Sequence, residues 1–232
     1  MVMDVEERVR DVSSRIESAL LRAGREPGAV TIMAVTKTHP YDAVLRAVDA
    51  GITVIGENRV QETEKKVPGD RSGYELHLVG HLQRNKAKRA VRLFDSVDSI
   101  DKAQTAGAIA GHCREMGKKM GVYVEYNTSG EAAKSGVSDP DALFTLLEEV
   151  LRYEELTLRG LMTVGPLTDD RDRLRSAFRT LFELAQRTEA RFADCAPLEL
   201  SMGMSGDFEI AIEEGATMVR LGTVLFGRRE TA

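Results

Sequence analysis

Eight short β-prone runs alternate with helix-patterned segments along nearly the whole of this 232-residue chain. The runs fall at 30–36, 52–55, 75–79, 96–100, 122–126, 158–163, 198–201 and 218–221. A strand that is followed by a helix and then by another strand returns to the same edge of the sheet, so the sheet is parallel. Eight such units that close on themselves make a (β/α)8 barrel of the TIM type, normally about 250 residues long. An open doubly wound sheet is the structural rival, but no Gly-x-Gly-x-x-Gly follows the first run. One extra helix should precede the barrel. Val5, Val9, Val12, Ile16 and Leu20 recur at helical spacing over about 4–23, with Gly24 and Pro27 placed to stop the chain. The clearest crossover helix is 171–188, where Leu174, Phe178, Leu181, Phe182 and Ala185 form one stripe. No linker, low-complexity tract or charge block divides the chain, so one domain over 1–232 is expected.

Composition narrows the partners. A net charge of −5 argues against nucleic acid or an anionic membrane as the main partner. No apolar run approaches the roughly 18 residues that span a bilayer. The opening MVMDVEERVR lacks the apolar centre of a signal peptide. Cys113 and Cys195 lie far apart and form no metal-ligand spacing, which suits packing residues in a reducing cytoplasm.

Active sites of these barrels lie where strands end, at the C-terminal mouth. Lys37 follows the first run, Glu57 and Asn58 the second, His81 the third, Asp101 the fourth and Asn127 the fifth. Ser201 ends the seventh, and Arg220, Gly222 and Thr223 end the eighth. A lysine at the end of a buried strand either reaches solvent or has a partner, because an unpaired ammonium is costly to bury. Ser201, Gly203, Ser205 and Gly206 form a small-residue turn before Asp207, which is placed to cap the next helix. Small residues after strands seven and eight are the usual setting of a phosphate site, through exposed N–H groups and hydroxyls. The plain alternative is a pair of tight turns whose glycines serve only the backbone. In a closed barrel strand one adjoins strand eight, which brings Lys37 to the same pocket. An amine facing a phosphate cradle is what pyridoxal 5′-phosphate requires: the aldehyde forms a Schiff base and the phosphate anchors the far end.

The segments AVTKTHP (34–40), IGENRVQE (55–62), LHLVGHLQRNK (76–86) and SID (99–101) sharpen this reading, as do SGV (135–137), LRGLMTV (158–164), LSMGMSGDFEIAI (200–212) and VRLGTVLFG (219–227). Together and in this order they resemble the pyridoxal-phosphate homeostasis protein family, over almost the whole chain. The resemblance implies a (β/α)8 barrel of the alanine-racemase type. It implies that Lys37 holds the cofactor as an internal aldimine. It further implies that Ser201, Gly222 and Thr223 bind the phosphate, that Arg220 lies near the pyridine nitrogen, and that Asn58 lies close to the cofactor. His77 and the 83–86 stretch are expected at or near the mouth. Leu76 departs from the family, which usually has an aromatic before the histidine.

An arginine at the pyridine nitrogen stays charged and discourages protonation of the ring, which weakens it as an electron sink. A racemase of this barrel type carries a further β domain that supplies a second acid/base, and no room for one is expected before Ala232. The expected function is therefore intracellular cofactor homeostasis: a monomer that holds pyridoxal phosphate and passes it to apo-enzymes without turnover. The rivals are an amino-acid racemase or other Schiff-base enzyme, and a metabolite-binding regulator. His77 and His81 resemble a metal pair only on one helix, and this stretch reads as a strand. Arg84, Lys86, Lys88 and Arg89 read as a solvated helix face rather than a nucleic-acid surface.

Overall fold

All eight runs form strands in the computed structural model, which describes residues 4–131 and 133–227. Residues 1–3, 132 and 228–232, and with them both ends of the domain expected over 1–232, lie outside the described residues. The strands are β1 (Thr31–Val35), β2 (Val54–Glu57), β3 (Glu75–Leu78), β4 (Ser96–Ile100), β5 (Met120–Glu125), β6 (Leu156–Met162), β7 (Glu199–Ser201) and β8 (Met218–Leu221). Neighbours pair in parallel in chain order, and β8 closes on β1 with Arg220 opposite Met33. The fold is thus a closed (β/α)8 barrel. The fifth and sixth strands begin two residues earlier than expected, at Met120 and Leu156. The second begins two residues later, at Val54, because Ile52 closes α2 (Tyr41–Asp49) by donating its N–H to the Ala47 carbonyl at 3.0 Å. That shift carries Glu57 into the strand.

The remaining helices are α1 (Val5–Arg22), α3 (Val60–Lys66), α4 (Ala87–Leu93), α5 (Ala103–Met116), α6 (Pro140–Leu151), α7 (Arg171–Arg191), α8 (Phe208–Glu213) and α9 (Thr223–Phe226). The N-terminal helix starts on an Asp4–Glu7 capping box and ends before Gly24, which takes φ +65°. Its buried face of Val9, Val12, Ile16 and Leu20 lies on α8, α9 and α2. Outward-facing strand residues such as Leu76, Leu78, Val97 and Val122 form the layer under the helices. Full burial of each contributes roughly 1.5–3 kcal/mol. Leu76, the departure from the family, is fully buried in this layer. The inward-facing residues Met33, Val35, Val54, Tyr123, Met162 and Met218 form a separate, smaller cluster inside the barrel. A bulge in β6 brings Gly160 against β7, where a Cβ would lie 1.9 Å from the Glu199 carbonyl oxygen. Cys113 is buried in the outer layer, and the Cys195 thiol donates to the Phe192 carbonyl. Among the described residues, no helix is long and apolar enough to cross a membrane.

Candidate functional site at the barrel mouth

The ends of β1, β2 and β8 enclose a cavity of about 430 Å³ at the C-terminal mouth. Lys37, Asn58, Arg220, Gly222 and Thr223 all line it, together with Ser205. Ser201 does not. It is fully buried below, and its Oγ accepts from Arg220 Nη1 at 3.0 Å. A hydroxyl at a strand's end and one in the following turn look alike in sequence; only the fold turns one inward and the other to the cavity. A wider hollow of about 630 Å³ opens between α7 and the α8–β8 turn, but no lysine lines it.

Lys37 is held by its backbone. It is second in a turn closed by the His39 N–H and the Thr36 carbonyl at 3.0 Å. Thr38, third in that turn, has φ +64° and is the one non-glycine residue with positive φ among those described. Thr36 is buried and donates its hydroxyl to Glu57 Oε1, which also accepts from Lys66 Nζ. Lys66 donates to the Thr36 carbonyl at 2.9 Å as well.

The Arg220 guanidinium is fixed from below by the Ser201 carbonyl at 2.6 Å and the Thr163 carbonyl at 2.7 Å. Burial lowers its pKa, and the negative charges of Asp98, Glu125 and Asp207 act the other way. From so high a starting value it remains a cation. Glu125, at the end of β5, was not among the expected site residues. Burial pushes its carboxyl up to about 7, Asp101 adds to this, and Arg220 opposes it. Its position as the last residue of a hydrophobic run hides it from pattern reading.

In the cavity lining, Ser205 Oγ accepts from the N–H groups of Gly222 at 3.4 Å and Val224 at 3.3 Å. A Cβ on Gly222 would come within 3.3 Å of the Val35 carbonyl, so a larger residue would crowd this wall. Asp207 precedes α8, but its side chain makes no cap there. Its Oδ1 accepts instead from the Met204 N–H at 2.6 Å and folds the Met204–Asp207 turn. Met204 lines the cavity, whereas Met202 is buried in the outer layer.

His77 corrects another expectation. It is fully buried inside the barrel, away from the rim, because inward-facing β3 residues point into the lower half. Its Nδ1 lies 2.9 Å from Asp98 Oδ2 and its Nε2 lies 3.2 Å from Glu75 Oε2. Ser96 donates to Asp98, Arg159 to Glu75, and Tyr123 to Glu199. Burial alone would lower the His77 pKa, but Asp98 and Glu75 outweigh it and raise it to about 9. Hydrogen bonds from His77 and Arg159 hold Glu75 down at about 2.

The other polar strand ends serve the loops. Asn127 bonds the backbone of Ser129 and Glu131, and His81 stands on the surface 3.7 Å from Asp101. Arg84, Lys88 and Arg89 are exposed, and Arg89 pairs with Glu64. No cluster among the described residues could hold a metal ion.

Together, the closed parallel barrel and its lysine-bearing mouth define a protein of the alanine-racemase barrel class. The family described as "Alanine racemase, N-terminal domain" matches residues 14–230. An alanine racemase of Clostridium difficile shares this fold at TM-score 0.75 and 14% identity, covering 97% of this chain and 58% of the racemase. Within that class, the chain belongs to the pyridoxal phosphate homeostasis protein family. It is 39% identical over 231 residues to the Vibrio alginolyticus protein of that name, covering 97% of this chain and 98% of the relative. PipY of Synechococcus elongatus, solved with PLP bound, is 34% identical with a TM-score of 0.79, covering 93% of this chain and all of PipY.

Proposed function

We propose that this chain binds pyridoxal 5′-phosphate at the barrel mouth and serves its homeostasis in the cell rather than catalysing a reaction. The observation that carries this reading is one cavity lined by Lys37, Arg220, Gly222, Thr223 and Ser205. Its volume falls within the roughly 300–1,000 Å³ of small-molecule sites. The residues fit the group: an amine, small residues with hydroxyl donors and a buried guanidinium line the same cavity.

Bound there, the cofactor supplies an aldehyde able to condense with the Lys37 amine. The turn at Thr36–His39 presents that amine, and Asn58 borders the same wall. Gly222 keeps the wall beside Val35 uncrowded, and Thr223 and Ser205 offer hydroxyls to an anion, with Ser205 Oγ set in place by the N–H groups of Gly222 and Val224. Ser201 acts one layer down, by orienting Arg220. Arg220 keeps its proton, so it would discourage protonation of a pyridine nitrogen held beside it and would leave the ring a weaker electron sink. This favours holding over turnover. The relatives' name supports homeostasis, and delivery to apo-enzymes by a soluble monomer extends the same reading.

Loading the purified protein with pyridoxal phosphate, reducing with borohydride and mapping peptides tests it. Label on Lys37, lost in Lys37→Ala, is the expected result. Label elsewhere, or sustained turnover of D- or L-alanine, would overturn it.

A further inference from the structure

The turn that carries Lys37 is disfavoured by its own sequence. Its third residue takes a positive φ, a conformation normally given to glycine, and here that residue is Thr38, branched at Cβ. Something outside the turn must hold it. The holding groups come from one face of α3, where Glu62 and Lys66 stand four residues apart. Glu62 Oε1 accepts the Thr38 N–H at 2.6 Å. Lys66 Nζ donates to the Thr36 carbonyl at 2.9 Å and is anchored by the fully buried Glu57. One tie lies on each side of Lys37, and both are charge-assisted. The Lys66 side chain is 9% exposed, so its tie is shielded from water.

We propose that Glu62 and Lys66 are positioning residues that clamp the strained Thr36–His39 turn and thereby aim the Lys37 amine into the cavity. This rests on the reading of Lys37 as the cofactor-bearing residue. The clamp acts through the backbone. It predicts that the need for Glu62 disappears once the strain at position 38 is removed. Thr38→Gly supplies that removal, because glycine takes positive φ without a steric cost.

The experiment measures the rate at which added pyridoxal 5′-phosphate becomes attached to Lys37, by timed borohydride reduction and peptide mapping, with melting curves on every variant. Glu62→Ala should slow attachment about tenfold, the factor set by one hydrogen bond to a charged group. Glu62→Ala combined with Thr38→Gly should recover most of that loss. Thr38→Gly alone, which leaves the clamp atoms in place, should react at the wild-type rate, and this arm stands even if Glu62→Ala folds poorly. Attachment at the wild-type rate in Glu62→Ala, a loss that Thr38→Gly does not restore, or a tenfold loss in Thr38→Gly alone would each overturn the clamp. Absence of label on Lys37 in the wild-type protein would instead overturn the parent reading.

Discussion

The two halves of the barrel interior are both rich in charge but use it differently. In the lower half, His77, Asp98, Glu75 and Arg159 satisfy one another, and His77 and Asp98 are fully shielded from water. At the mouth, Lys37 and Arg220 share the wall of an open cavity, and Arg220 is held by carbonyls rather than by a carboxylate. Carbonyls fix the guanidinium without a direct carboxylate partner, so Arg220 stays a cation at the cavity wall, whereas the charges of the lower half are paired with one another. The lower half is built to hold the barrel together, and the mouth to hold something else.

Complementary losses give the sharpest break in this comparison. Lys37→Ala should abolish covalent attachment of pyridoxal phosphate while leaving the urea midpoint nearly unchanged. Asp98→Ala should do the reverse: it strands His77 in the core and should cost about 3–5 kcal/mol in urea unfolding. A variant of the lower half that unfolds no more readily than wild type would erase the distinction.

The next effect is a pH dependence confined to the lower half. The folded pKa of His77 is raised, from 6.5 to about 9. Its contribution is therefore complete below about pH 6.5 and is lost as pH rises through 9. Urea midpoints should fall over that interval, and the part of the fall above about pH 8, beyond the Glu125 titration, should vanish in His77→Gln. Glu75 has the opposite sign: its folded value of about 2 lies below 4.5, so its contribution is present above 4.5 and fades as the pH drops toward 2. Its half-exposed side chain makes this the weaker of the two.

Smaller effects separate the mouth's own groups. Glu125 is raised from 4.5 to about 7, so its ionisation costs stability as pH rises from about 4.5 through 7. Glu125→Gln should flatten that decline, by up to about 3 kcal/mol at pH 8, at about 1.4 kcal/mol per pKa unit. Equal slopes in mutant and wild type would remove Glu125 from the account. Smallest of all, Thr223→Val should weaken pyridoxal phosphate binding about fivefold by removing one hydroxyl, as read by equilibrium dialysis, with no change in melting temperature.

Much of this was legible in the chain itself. Eight alternating runs require parallel pairing, and the number of units allows closure, so strand order followed from periodicity. Because every βα loop of such a barrel emerges at one rim, a lysine after the first run and glycine, threonine and arginine at the end of the eighth had to converge. Sequence could not say which way a side chain turns. Ser201 and Ser205 are four residues apart, yet one braces Arg220 from inside and the other lines the cavity. His77, read as part of a mouth motif, lies in the lower half because inward-facing positions sort into layers only once the barrel closes. Glu125, Glu62 and Lys66 took their meaning from neighbours distant in sequence. Periodicity encodes local hydrogen bonding and burial, and so sets the architecture. Charge pairing, desolvation and backbone strain depend on distances that exist only after packing, and those were decided by the tertiary structure.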